Sequence, residues 1–79
     1  MTTVQYRVIV GKGDERIDGP DDADIVFTAP VEIARADGFD ATVEFMRGKV
    51  KAAGHSGQVL DLLKSGAATS SLAALAAQA

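Results

Sequence analysis

The chain has 79 residues, a formal net charge of −3 and no cysteine. A chain of this length forms one domain with a small core, because only about 60–65% of the unfolded surface is buried on folding. The lack of cysteine excludes disulfides, thiolate metal ligands and thiol redox chemistry. The acidic balance argues against a general nucleic-acid role, which requires a basic face.

The first residues do not predict a signal peptide. Residues 1–6 lack a basic start followed by an apolar core and a cleavage site, and no apolar run approaches the roughly 20 residues of a membrane span. We therefore expect a cytoplasmic protein with no membrane span.

Strands and turns alternate in the first third of the chain. Apolar residues at every second position predict a first strand with Val4, Tyr6, Val8 and Val10. The glycines of 11–14 predict a turn, and the Asp, Gly and Pro residues of 18–22 predict a loop. Residues 24–28 are typical of a second strand.

Two helices should follow that strand. Thr28 is expected to cap a short helix over residues 31–36, with Pro30 in its first turn. Asp40 should cap the next helix, whose buried face is predicted from its i, i+4, i+7 spacing to consist of Phe39, Val43 and Met46. Gly48 should end this helix in the left-handed conformation.

A strand and two helices complete the predicted elements. Residues 49–53 predict a strand with Val50 and Ala52 facing inward, and the leucine-rich run after it predicts a helix that ends at 65–66. Residues 65–79 predict an alanine-rich helix with Thr69 or Ser70 as its candidate cap. Because about ten residues with two leucines fray unless they are docked, this segment is either a lid or a mobile end.

Two sequence patterns bear on catalysis. Residues 54–58, Gly-His-Ser-Gly-Gln, partly match the esterase pattern Gly-x-Ser-x-Gly, but Gln58 replaces the last glycine. His55 is adjacent to Ser56 and cannot easily serve as its general base. We therefore expect no enzyme activity, with Ser56 capping a helix.

Phosphate and metal patterns are also incomplete. In residues 11–16, Arg16 replaces the third glycine of a phosphate loop, and two acids would repel phosphate, so a hairpin turn is expected. The acids of residues 18–24 lack the ligand spacing of a calcium loop, which favours a solvated turn. We expect no metal and no cofactor.

The run Phe-Met-Arg-Gly-Lys-Val-Lys at 45–51, followed by Gly54 and a further helix, resembles the sterol carrier protein 2 family. The resemblance covers about Asp21 to Leu63, with His55 where an acidic or amide residue is more usual. It implies an α+β domain with an antiparallel-rich sheet covered by helices. It also implies a domain shortened at the N-terminus, because family members usually begin with a helix and further strands that have no counterpart ahead of Val4.

The resemblance further implies an apolar tunnel for a sterol, a fatty acid or a fatty acyl-CoA. The residues assigned to this ligand are Ile25, Phe27, Ile33, Phe39, Val43, Phe45, Met46, Val50, Val59, Leu62 and Leu63. Lys49 and Lys51 would meet its headgroup. The same apolar residues would serve equally well as an ordinary core.

An empty tunnel would be costly in so short a chain. A cavity of ~300 Å³ at about 24 cal/mol per Å³ rivals the total stability of a domain. A second copy could close the sheet by pairing edge strands, a ligand could complete the core, or the cavity could have collapsed.

The function expected from these observations is non-enzymatic binding or transfer of lipids by a homodimer. The alternative is a structural or assembly domain that dimerises or pairs with another polypeptide and has lost lipid binding. A third possibility is an accessory domain working beside an acyl-CoA or isomerase enzyme.

Overall fold

The structure is a computed structural model that describes residues 3–78. Within these residues the chain forms four strands and four helices, which confirms the predicted α+β class. In chain order they are β1 (Val4–Gly11), β2 (Asp14–Asp18), β3 (Ile25–Pro30), α1 (Val31–Ala34), α2 (Ala41–Met46), β4 (Lys51–Ala53), α3 (Ser56–Ser65) and α4 (Ala67–Ala77).

The strands form one mixed sheet in the order β2-β1-β3-β4. Two of its three pairings are antiparallel, β1 with β2 and β3 with β4, whereas β1 and β3 run parallel with Tyr6 opposite Phe27. The turn predicted at residues 11–14 is the β1–β2 hairpin. Sequence reasoning missed β2 as a strand, because most of its residues are charged and only Ile17 is a large apolar residue.

The loop over residues 19–24 connects β2 to β3 and crosses the start of β1. Gln5, which is buried, donates from Nε2 to the carbonyl oxygen of Pro20 at 3.0 Å and to Oδ1 of Asp21 at 3.3 Å. Its Oε1 accepts from Nε of Arg7 at 2.7 Å. Both the nitrogen and the oxygen of the buried Gln5 amide are therefore hydrogen-bonded. The bonds from the nitrogen hold the crossing loop against β1.

The core lies on one face of the sheet. Val8, Ile25, Phe27 and Ala29 are fully buried and belong to the same apolar cluster as the buried residues of α1, α3 and α4. The rings of Tyr6 and Phe27 stack with centroids 5.6 Å apart. Side chains that alternate with these, such as Arg7 and Thr28, lie on the opposite sheet face.

Both predicted helix starts after β3 can be compared with the structure. Thr28 was wrong as a cap: it lies in β3, and α1 begins after Pro30 with no side-chain cap. Asp40 is confirmed, because its Oδ1 accepts from the backbone N of Thr42 at 2.9 Å and of Val43 at 3.4 Å.

The predicted buried face of α2 was wrong. Phe39 lies before the helix, Val43 is exposed, and Met46 is 82% exposed. Ala41 is buried instead and Phe45 is half-buried, four residues apart. The short helix is fixed at its start by a hydrogen bond from the backbone N of Ala41 to Oγ1 of Thr69, and this anchor sets which face turns inward.

Around β4 the predicted helix end and the predicted inward side are confirmed, but the strand is shorter than predicted. It covers Lys51–Ala53 and not residues 49–53, so Lys49 and Val50 precede it. Gly48 follows α2 with φ of +79°, the left-handed conformation that ends a helix. Val50 is buried while Lys49 and Lys51 are exposed, as the alternation predicted. Ser56 is wrong as a cap: it is the first residue of α3, and the helix shows no side-chain cap hydrogen bond within the described part of the chain.

The alanine-rich segment forms α4 and lies against the sheet. Ala68, Leu72, Leu75 and Ala76 are buried in the core, and the helix contacts β1, β2 and the other three helices. Thr69 and Ser70 lie inside the helix and were wrong as caps, because it begins at Ala67.

Candidate functional site

The structure separates the eleven predicted ligand residues by burial. Five lie fully in the core: Ile25, Phe27, Val50, Val59 and Leu63. Four are half-buried: Ile33, Phe39, Phe45 and Leu62. Two are exposed: Val43 and Met46. Protein side chains therefore occupy much of the space between sheet and helices that the resemblance assigned to a tunnel.

An apolar cleft opens to solvent beside β4, between α2 and α3. We call it the α2–α3 cleft. Its volume is about 220 Å³, and it is lined by Phe45, Ala52, Gly54, Ser56, Val59 and Leu60. Phe45 and Val59 belong to the predicted ligand set, whereas Leu60 was missed. Leu60 is 46% exposed and was not among the residues predicted to line the ligand site.

Close backbone packing at Gly54 shapes one end of this cleft. Gly54 has φ of +126°, and a Cβ there would lie 2.6 Å from the backbone oxygen of Asp24. Only glycine fits this approach, so the chain turns sharply from β4 into α3. The hydroxyl of Thr42 donates to the backbone oxygen of Leu63 at 3.2 Å, which ties α2 to the far end of α3.

The N-terminus of α3 lies at the Gly54–Ser56 end of the cleft. Unlike α2, this helix has no acidic residue in its first turn, and within residues 3–78 its N-cap residue His55 forms no side-chain cap hydrogen bond. The first amide groups of a ten-residue helix carry partial positive charge and favour an anion. The cleft therefore combines apolar walls with one end that favours negative charge.

Of the two predicted headgroup lysines, Lys51 lies in β4 and pairs with Thr28, whereas Lys49 precedes the strand. Ala52 follows Lys51, pairs with the buried Phe27 and packs against the core, so Lys51 projects from the other face of the strand. Among the described residues, no carboxylate forms an ion pair with Lys49 or Lys51, whereas Arg7, Arg16 and Arg47 each have an acidic partner. A lysine at this edge reaches a ligand only by wrapping its flexible side chain around the strand.

A second cleft of about 370 Å³ lies between β2 and α4. It is lined by Ile17, Asp18, Ser70, Ser71, Ala74, Leu75 and Gln78. Tyr6, which is 8% exposed, lies near Ser71 and Asp18 of this lining. Burial raises the pKa of Tyr6 above its ordinary value, the Ser71 side chain lowers it in part, and the charge of Asp18 raises it.

Because the pKa of Tyr6 is raised in the folded chain, we expect the domain to lose stability at alkaline pH. The fold favours the neutral phenol, so the unfolded chain ionises first and stability falls as the pH rises above 10.0. Tyr6 is the single tyrosine, and tyrosinate absorbance therefore reports its titration directly. We expect a pKa above that of free tyrosine, raised further by Ser71→Ala. A pKa at or below the free value would contradict the burial of Tyr6.

The other polar groups singled out in the sequence have structural surroundings. Asp24 accepts from the backbone N of Thr3 at 3.3 Å through Oδ2, and His55 and Ser56 are both exposed. In residues 3–78, no three His, Asp or Glu side chains are grouped so that they could hold a metal ion. None of the described helices has the length and apolar character to cross a membrane.

Comparison with protein-family models, with curated proteins and with solved structures finds no match to this chain.

Proposed function

We propose that this chain is a non-enzymatic binding domain that takes the acyl chain of a fatty acid or a related amphiphile in the α2–α3 cleft. The observation that carries the proposal is the pairing of apolar walls, above all Phe45 and Leu60, with the uncapped N-terminus of α3. Such a cleft suits a molecule with an apolar chain and an anionic head.

The size of the cleft limits what it holds. At roughly 30 Å³ for a group the size of water or methylene, 220 Å³ takes about seven methylene groups. At about 0.8 kcal/mol for each fully buried methylene, half-burial of seven yields about 3 kcal/mol. Since a millimolar Kd corresponds to about 4 kcal/mol, a single cleft binds an acyl chain weakly.

The headgroup has two sources of attraction. The α3 N-terminus contributes about 0.3–1 kcal/mol to binding of an exposed anion. Lys49 and Lys51, which have no acidic partner among the described residues, raise the local concentration of anions along the β4 edge. Together these groups favour a carboxylate or phosphate head over a neutral one.

Decanoate, kept below its micelle concentration, is a suitable probe. In a 15N-labelled sample, we expect decanoate to shift the backbone amide signals of β4 and of the first turns of α3. Leu60→Glu should weaken this binding at least about tenfold, because it places a charge in the apolar wall. Shifts are expected to be smaller with decanol, which has no anionic head.

The matched control is Ile17→Glu. Ile17 is 41% exposed, close to the 46% of Leu60, but it lies on β2 at the opposite edge of the sheet. Its decanoate binding should equal that of the wild type. Shifts confined to the β2–α4 cleft, or the absence of any shift at saturating decanoate, would overturn the proposal.

The alternative function, an assembly domain, is favoured by a different observation. Met46 and Leu60 expose large apolar side chains on helices beside β4. A surface of this kind is often covered by another polypeptide. This function predicts association of the chain in the absence of any amphiphile.

A further inference from the structure

The outer edge of β4 lies open beside the α2–α3 cleft. In the described part of the chain, β4 is the last strand of the sheet and pairs only with β3. Among the described residues, no backbone hydrogen bond outside that pairing involves Lys51, Ala52 or Ala53. The edge therefore presents backbone groups that a further strand can pair with.

The opposite edge of the sheet is poorly suited to self-pairing. If β2 paired antiparallel with a second copy about its central residue, Arg16 would face Arg16 and Asp14 would face Asp18. Like charges directly opposite each other destabilise a strand pair. The ion pair between Arg16 and Asp14, at 3.4 Å, already satisfies these charges within one chain.

The β4 edge has the pattern that self-pairing needs. A two-fold axis at Ala52 places Ala52 opposite Ala52, and Lys51 opposite Ala53 of the second copy. No like charges are then directly opposed, and the small side chains at the axis let the backbones approach. The same arrangement brings the α2–α3 clefts of both copies to one side of the joint sheet.

Exposed apolar side chains concentrate near the same edge. Of the five large hydrophobic residues exposed in the described part of the chain, Val43 and Met46 lie on α2 and Leu60 lies on α3. These are the helices immediately before and after β4 in the chain. Pairing through β4 would remove apolar surface from water at this edge.

The small volume of a single cleft also favours pairing through β4. A single cleft of about 220 Å³ is smaller than the roughly 300–1,000 Å³ typical of small-molecule pockets. Two clefts side by side come to about 440 Å³, which lies within that range. The second copy would thus complete a site that is shallow in one chain.

We propose that two copies pair through β4 and that their α2–α3 clefts together form one pocket for acyl chains. This inference rests on the proposed function. Because the paired strands are only three residues long, they hold the dimer weakly by themselves. Ligand in the shared pocket stabilises the dimer, and the dimer in turn raises the affinity for ligand.

Sedimentation velocity with and without decanoate tests the pairing. We expect the wild type to sediment near its chain mass of 8.2 kDa without ligand and near twice that mass at saturating decanoate. Ala53→Lys places lysine opposite Lys51 of the second copy and should abolish the dimer. Its decanoate affinity should fall about tenfold, the loss expected when around two methylene groups return to water.

Two further variants make the test specific to this register. Adding Lys51→Glu to Ala53→Lys sets opposite charges across the pair and should restore the dimer. Ala36→Lys, which makes the same charge change as Ala53→Lys at an exposed alanine far along the chain from β4, should leave both the dimer and the decanoate affinity unchanged. An equal loss of dimer in Ala36→Lys, or no rescue by the double change, would overturn the β4 register.

The outcomes also separate this inference from the proposed function. Wild-type protein that binds decanoate with amide shifts in β4 and α3 but stays monomeric overturns the pairing and leaves the proposed function standing. Wild-type protein that binds no decanoate overturns both. A dimer that forms equally well without decanoate and persists in Ala53→Lys overturns the shared pocket.

Discussion

Replacement of Phe27 by alanine is expected to lower the free energy of unfolding by about 3–5 kcal/mol. Phe27 is fully buried in β3 and stacks on Tyr6 with ring centroids 5.6 Å apart. The substitution removes apolar contacts, leaves a cavity that the neighbouring strands fill only in part, and ends the stacking. Because domains have total stabilities of roughly 5–15 kcal/mol, this small one should be close to unfolding.

Urea unfolding followed by far-ultraviolet circular dichroism measures this loss, since the chain has no tryptophan. Met46→Ala is the control, because it truncates an 82% exposed apolar side chain. Its unfolding free energy should stay within about 0.5 kcal/mol of the wild type. A loss below about 1 kcal/mol in Phe27→Ala would mean that the ring does not lie in a packed core.

Replacement of Leu72 by alanine is expected to cost about 2–5 kcal/mol. Leu72 is fully buried in α4, the helix that contacts β1, β2 and each of the other helices. An isolated alanine-rich helix of eleven residues is marginal in water, so α4 depends on its packing. Weakening this helix should therefore destabilise the whole domain and not only its C-terminal end.

Urea unfolding and amide hydrogen exchange together check this result. Leu60→Ala, which truncates a half-exposed leucine on α3, should lose less than about 1 kcal/mol. Equal stability of Leu72→Ala and the wild type would indicate that α4 is a loose end of the chain. Fast exchange confined to α4 in the wild type would indicate the same.

Local features of the chain were predictable because neighbouring residues decide them. The strand alternation at Val4–Val10, the cap at Asp40 and the helix end at Gly48 each depend on side chains within a few residues. The five residues of β2, Asp14–Asp18, show the limit of this reasoning. β2 has few apolar side chains and is a strand because β1 provides its hydrogen-bonding partner.

Burial at the candidate site was less predictable. The i, i+4, i+7 spacing indicated that Val43 and Met46 face the core, yet both are exposed. The rotation of α2 is set by contacts distant in sequence, from Ala41 to Thr69 and from Thr42 to Leu63. Leu60 was missed for the same reason, because its helix buries Val59 and Leu63 against elements the pattern does not reveal.

The hairpin turn, the Asp40 cap and the inward side of β4 followed from the residues alone, because short-range sterics and hydrogen bonds specify them. The position of α4 at the centre of the helical layer, and the packing of most apolar residues into a core, depend on contacts between elements that are distant in the chain. Whether a side chain is buried depends on which elements pack against it. The helix propensity of alanine is a weak local preference, and tertiary packing outweighs it.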